Sequence, residues 1–325
     1  MIWFVPSDLS DIIFGVFRER ILSILFFLLF LFILSGNERV QFWTRIALLF
    51  SVFIAVVSNL YEFLCPFSFV PLFSEYANPG RSAGFYINAN MSGSALILGM
   101  IFTIGLLPQK YRISFVLLVL LAILVTVSRA ALLGWPIVVF VFMRVHLLRR
   151  SQAFFAMIIV GLSLLFLLPW YLEYIQSGNN INVENITQRI DWFSNPFSSK
   201  DDSSNERHYV AKLSWEMFTN SPLWGNGIGS TEVWSHEVST HNTYLRFMAD
   251  FGVIGAFILP LFLLAVVWKA RGEARQTAFP FAIFVLFFGF FSHNVVEDYV
   301  TLVAFALMAA MTYRSRLSDD KIISN

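Results

Sequence analysis

Apolar stretches long enough to cross a bilayer core of about 30 Å recur along the whole chain, separated by polar connections. Nine are recognised, at 21–36, 46–64, 91–107, 113–127, 130–143, 153–171, 244–268, 278–293 and 297–313. Three interruptions stand out: the loop 65–90, the polar segment 172–243, and the tight turn "VSRAA". The pattern predicts an all-α, polytopic integral membrane protein of about nine transmembrane helices. Its regions are an N-terminal membrane part over 1–171 with a short outer loop at 65–90, a long loop over 172–243, and C-terminal membrane helices with a tail over 244–325. Inside the long loop, "QSGNNINVENITQ" and "NPFSSKDDSSNER" are polar, but the following residues predict an amphipathic helix over 206–219. Val210, Leu213, Met217 and Trp215 form its apolar side, and the Pro and Gly of "NSPLWGNGIG" end it. A loop of this length in a compact protein serves a function or is disordered. No internal repeat is visible.

Composition agrees with the pattern. Hydrophobic residues make up 57% of the chain and charged ones 13%, with a mean hydropathy of +0.69, which excludes a soluble globular domain. The single cysteine, Cys65, excludes an intrachain disulfide and any Cys-based metal cluster. Acidic residues come early and basic ones late in "DLSDIIFGVFRER", the reverse of a signal peptide, so no removed presequence is expected. Thirteen of the 22 basic residues cluster in "NERVQFWTR", "PQKYR", "RVHLLRRSQ", "KARGEARQ" and "RSRLSDDK", which are therefore assigned to the cytoplasmic side, C-terminus included. The N-terminus, the two long connections, the Arg129 turn and "SHNVVED" fall outside. Arg18 and Arg20 run against this rule; an interfacial helix over 8–20, or helices upstream of this sequence, would account for them.

The outer face collects polar residues that are costly at the membrane boundary: Arg81, Asn88, Asn90, Arg129, Arg189, Arg207, His208, His241, Asn242, His293, Glu297 and Asp298. Several arginines on one face point to a phosphate or diphosphate site, since guanidinium forks match phosphate oxygens bidentately. An Arg at a helix end also serves as a snorkelling anchor, and that alternative stands for Arg81 and Arg129. Arg246 and Asp250, one turn apart on one helix, are expected to form an internal ion pair. His208 and His236 read as solvated, and His146 as a charged flank. His241 stands at the mouth of an apolar helix beside Asn242, where an imidazole serves as a base, a hydrogen-bond donor or a helix cap. No metal motif, P-loop, nucleophile elbow or dinucleotide fingerprint occurs, so no metal, cofactor or nucleic-acid partner is expected.

Four stretches in order, "GRSAGFYINANMSG", "TVSRAALLG", "ERHYVAKLSWEMFTNSPLWGNGIG" and "THNTYLRFMADFGVIGAF", resemble the O-antigen ligase and polymerase superfamily of bacterial envelope glycosyltransferases. The resemblance spans about residues 20 to 313. It implies a GT-C-like fold in the inner membrane with the active site facing the periplasm. The implied reaction moves a glycan from an undecaprenyl-diphosphate carrier to an acceptor lipid or glycan. The positions matching the family's active-site Arg, loop Arg and His are Arg129, Arg207 and His241. Arg81 and Asn90 lie in the "GR…G…N.N" pattern as carrier contacts, Asn242 as a substrate contact, and Asp298 or Glu297 as a looser match to a late acidic residue. Such enzymes often have more transmembrane helices than this chain.

A sugar on diphosphate already carries a good leaving group. The enzyme therefore mainly stabilises charge on the diphosphate, through Arg207, Arg129 and Arg81, and deprotonates the acceptor, through His241. A repeat-unit polymerase or a protein O-oligosaccharyltransferase would share these residues. A lipid-linked glycan flippase would bind the diphosphate without breaking it.

Overall fold

The computed structural model describes residues 7–66, 68–72, 81–158, 161, 202–232 and 240–323, with side chains from 14 onward, from 205 in the helix that opens at 202, and up to 317. All elements among the described residues are helical: α1 (Ser7–Ser35), α2 (Glu38–Leu64), α3 (Ala89–Thr103), α4 (Gln109–Thr126), α5 (Arg129–Arg144), α6 (Asp202–Asn220), α7 (Thr243–Phe251), α8 (Gly255–Val267), α9 (Gly272–Phe288) and α10 (Tyr299–Ile323). A further helical run covers 150–158. Among the described residues, four helical stretches are long and apolar enough to cross a membrane, at Glu38–Leu64, Ala89–Leu106, Gln109–Thr126 and Thr243–Val267. Most of the expected span 153–171 lies outside the described residues, as do 172–201 and 233–239 of the long loop. Residues 8–20 are no separate interfacial element but the start of the continuous helix α1. The amphipathic helix expected over 206–219 runs from Asp202 to Asn220. The expected span 244–268 is broken at Gly252–Ile254 by a short 3₁₀ turn.

The chain divides into two compact units, one of residues 1–41, 202–278 and 282–325, the other of 42–201 with 279–281. In the second unit α3 is the core element and packs on α4 and α5. Its small residues allow that approach, as at interfaces between membrane helices. A Cβ on Gly93 would come within 2.6 Å of the Ala131 Cβ. Buried Asn59 and Ser92 exchange hydrogen bonds between α2 and α3, and the Glu62 carboxylate accepts from the backbone N–H groups of Ala83 and Gly84. Gly93→Val is therefore expected to cost about 1–3 kcal/mol, the usual penalty for overpacking. A lowered midpoint of thermal unfolding in detergent, with a smaller monodisperse yield, would show it.

In the first unit α1 packs along α10, α7 against α6 and α8, and α8 against α10. The break after α7 depends on Gly252, at φ +65, where a Cβ would meet the Leu223 carbonyl at 2.6 Å. The "GNGIG" turn closes over this break. The N–H of Asn226 donates to the Ala249 carbonyl at 2.9 Å, that of Gly227 to Asp250 at 3.0 Å, and that of Val253 to Pro222 at 2.7 Å. The Ala249 and Asp250 carbonyls at the end of α7 are thus satisfied by Asn226 and Gly227 of the loop, which form a backbone cap.

Candidate active site

Asn242, and not His241, is the N-cap of α7. Its side-chain oxygen accepts from the N–H groups of Tyr244 at 3.0 Å and Leu245 at 3.1 Å, the role for which Asn is among the preferred residues. Around it the chain is pinned from two sides. Thr240 and Ser214 of α6 share a buried hydroxyl–hydroxyl hydrogen bond of 2.8 Å. Thr243 donates through its N–H to the Gly289 carbonyl at 2.8 Å and through its hydroxyl to the Ser292 carbonyl at 2.6 Å. His241 is caught between these anchors in the left-handed region, at φ 49. For a non-glycine residue that conformation costs about 1–2 kcal/mol and persists only where the surroundings dictate it.

The His241 ring meets that of His293 edge to face, with centroids 5.4 Å apart and planes at 76°. Both residues lie in connections, outside the helices. Burial, reinforced by the positive charge of Arg207, pulls His241 down to about 4. Burial, then the charges of Arg246 and His241, pulls His293 down to about 4 as well. Both imidazoles are therefore neutral at physiological pH. Arg207 sits on the inward side of α6 in register with fully buried Val210 and Ser214, and Trp215, expected on the apolar side, is half exposed.

The two depressed histidines have a measurable consequence. An unfolded chain binds protons at both near pH 6.5, whereas the folded chain does so only near pH 4. Between those values the unfolded state holds more protons, so stability rises with pH across the window. Thermal midpoints in detergent are expected to fall as pH drops from about 6.5 towards 4, and to fall less steeply in His293→Gln. Parallel curves would refute the assignment.

Beneath the histidines lies an ion network. Arg246, buried, reaches Glu297 at 2.6 Å and Glu232 at 3.1 Å, and donates to the His293 carbonyl at 3.1 Å. Asp250, fully buried, takes Arg20 of α1 at 2.7 Å, with the Ser230 hydroxyl at 2.8 Å and the N–H groups of Ser230 and Gly229 at 3.1 and 3.3 Å. Arg20 also approaches Glu297 at 3.4 Å. Arg246 and Asp250 thus do not form the expected internal pair: each is claimed by partners from elsewhere in the chain. Arg20 is explained as well, since two carboxylates hold it. Asp298 accepts from the backbone N–H groups of Val300 and Thr301 and so caps the start of α10.

The remaining expected residues belong to the other unit. Arg81 donates to the Thr126 carbonyl at 3.0 Å and to the Asn90 side chain at 2.7 Å. Arg81 and Asn90 are thereby brought to the α4–α5 turn, where Val127 is left-handed at φ 48 and buried Arg129 opens α5. A cation in the first turn opposes the helix dipole, while the same N-terminus favours an anion.

The structure thus gathers Arg207, His241 and Asn242 in one unit and Arg81, Asn90 and Arg129 in the other. His293 was visible in sequence only as one polar residue among many. Arg20 signalled itself as the exception to the charge pattern. Among known families, a model described as O-antigen ligase matches residues 113–260, from α4 into α8, a stretch that contains Arg129, Arg207, His241 and Asn242. No curated protein matches the chain.

Proposed function

We propose that this membrane protein, whose residues 113–260 match a family model described as O-antigen ligase, moves a glycan from an undecaprenyl-diphosphate carrier to an acceptor hydroxyl on the periplasmic face. The observation that carries the proposal is His241, held in the left-handed region at φ 49 between two anchored residues and under the influence of Arg207, with burial keeping its imidazole neutral. The acceptor oxygen forms the new bond to the anomeric carbon, and the bond from that carbon to the diphosphate oxygen breaks with its electron pair. Arg207 stabilises the charge developing on the diphosphate. His241 takes the acceptor's proton.

A base near 4 is weak when the site is empty. A bound diphosphate offsets the charge of Arg207 and adds its own, raising His241 towards the working pH. The base is thus strengthened by the donor it serves. The resemblance further assigns Arg81, Asn90 and Arg129 to carrier binding, and Asn242 and Asp298 to substrate contacts. The last two also act as helix caps, so their side chains are held in fixed orientations. The periplasmic setting of His241 rests on the distribution of Lys and Arg along the chain.

The test is a reconstitution in proteoliposomes with host lipid-linked glycans radiolabelled in the diphosphate. Transfer releases labelled undecaprenyl diphosphate and modifies the acceptor in equal amounts. Movement of label across the bilayer without release would make the protein a transporter and end the proposal.

A further inference from the structure

We propose that His293 is a positioning residue that acts through His241, holding that ring edge to face and taking up the proton His241 removes from the acceptor; this rests on the transferase reading above. Three observations carry it. The rings lie 5.4 Å apart between centroids. Two imidazoles joined by an N–H···N hydrogen bond of about 3 Å would have centroids roughly 5 Å apart, so the separation fits a proton path once one ring turns its nitrogen towards the other. Next, the Nδ1 of His293 is buried and has no hydrogen-bond partner among the described residues, although a buried polar atom normally has one. Finally, the backbone that carries His293 is clamped. The Thr243 hydroxyl holds the Ser292 carbonyl at 2.6 Å, and Arg246 holds the His293 carbonyl at 3.1 Å.

Arg246 is itself fixed by Glu232 and Glu297, and Glu297 is shared with Arg20. The charged groups that act on the pair are therefore Arg207 from α6 and Arg246 from α7, and behind Arg246 stand Glu232 from the preceding loop, Glu297 from the turn before α10 and, through Glu297, Arg20 from α1. Such a frame fixes the backbone from which the His293 ring projects.

The proton balance is simple. It leaves the acceptor oxygen for His241 as the carbon–oxygen bond forms. It then passes to His293 and to water, which restores neutral His241 for the next turnover. Without His293 the proton on His241 has to leave a buried ring directly to water, with no second imidazole to receive it.

The experiment compares His293→Gln and His293→Ala with the parent protein in the reconstituted assay, together with His241→Asn. Expected results are a kcat lower by about 100-fold, the low end for a positioned proton-transfer group, an unchanged KM for the lipid-linked donor, a displaced acid limb in the pH profile, and partial recovery of His293→Ala by added imidazole. Normal turnover in His293→Gln overturns the proposal. So does a loss that imidazole does not relieve with the pH profile unmoved, because that is the signature of packing alone. Failure of both variants to fold likewise assigns His293 a structural role. If instead His241→Asn is fully active, the base reading itself fails, and the two failures are told apart.

Discussion

His241→Asn is expected to give a folded protein that binds undecaprenyl diphosphate normally and transfers glycan about 100- to 10,000-fold more slowly, the span for a positioned acid–base group. Asparagine is the informative replacement for two structural reasons. It tolerates the left-handed backbone better than most residues, so φ 49 at this position need not change. The helix cap is unaffected as well, because Asn242 supplies it. What the variant loses is a nitrogen that can take a proton at neutral pH. Transfer rate, detergent-phase yield and donor binding measured on one preparation decide the matter. A folded, donor-binding variant with ordinary turnover would remove His241 from the chemistry.

Arg207→Lys is expected to lose about 100- to 1000-fold in transfer, the usual cost of removing one preorganised donor to a developing anion. Lysine keeps the positive charge that helps depress His241 but lacks the planar fork that fits two phosphate oxygens. The pH dependence of the residual activity should therefore stay close to the parent's while the rate collapses. Arg207→Met removes both properties, so His241 should also titrate at higher pH, which histidine NMR on the folded variant would read. Near-normal turnover of Arg207→Lys at equal expression would reduce Arg207 to a diffuse electrostatic element.

The membrane class and most helices were legible in the sequence because apolar length is a local property and helix ends carry local marks. The amphipathic helix is an instance: Asp, Ser and Asn open it, Pro and Gly follow it, and the expected and observed ranges differ by a few residues. The cap of α7 follows from the same rules, since Asn is a far better cap than His. Partners distant in the chain were not legible. The spacing of Arg246 and Asp250 fits an i,i+4 pair, yet Arg20 comes from 230 residues away to take Asp250, and Glu297 from 51 residues away to take Arg246. A spacing rule for isolated helices has no knowledge of such competitors. The His241–His293 pair was hidden for the same reason.

The grip of Asp250 and Glu297 on Arg20 bears on how the protein is made. Helix α1 leaves the ribosome early, carrying a cation whose two counter-charges have not yet been synthesised. At about 5–20 residues per second, the wait for Glu297 is on the order of tens of seconds. During that time the unit built from α1 and the C-terminal helices cannot close, while the unit that begins at residue 42 and is almost wholly complete by residue 201 has all but its last few residues in hand. Assembly in the living membrane is therefore expected to run from the middle of the chain outward, with Arg20 held at the lipid–water boundary until its partners arrive.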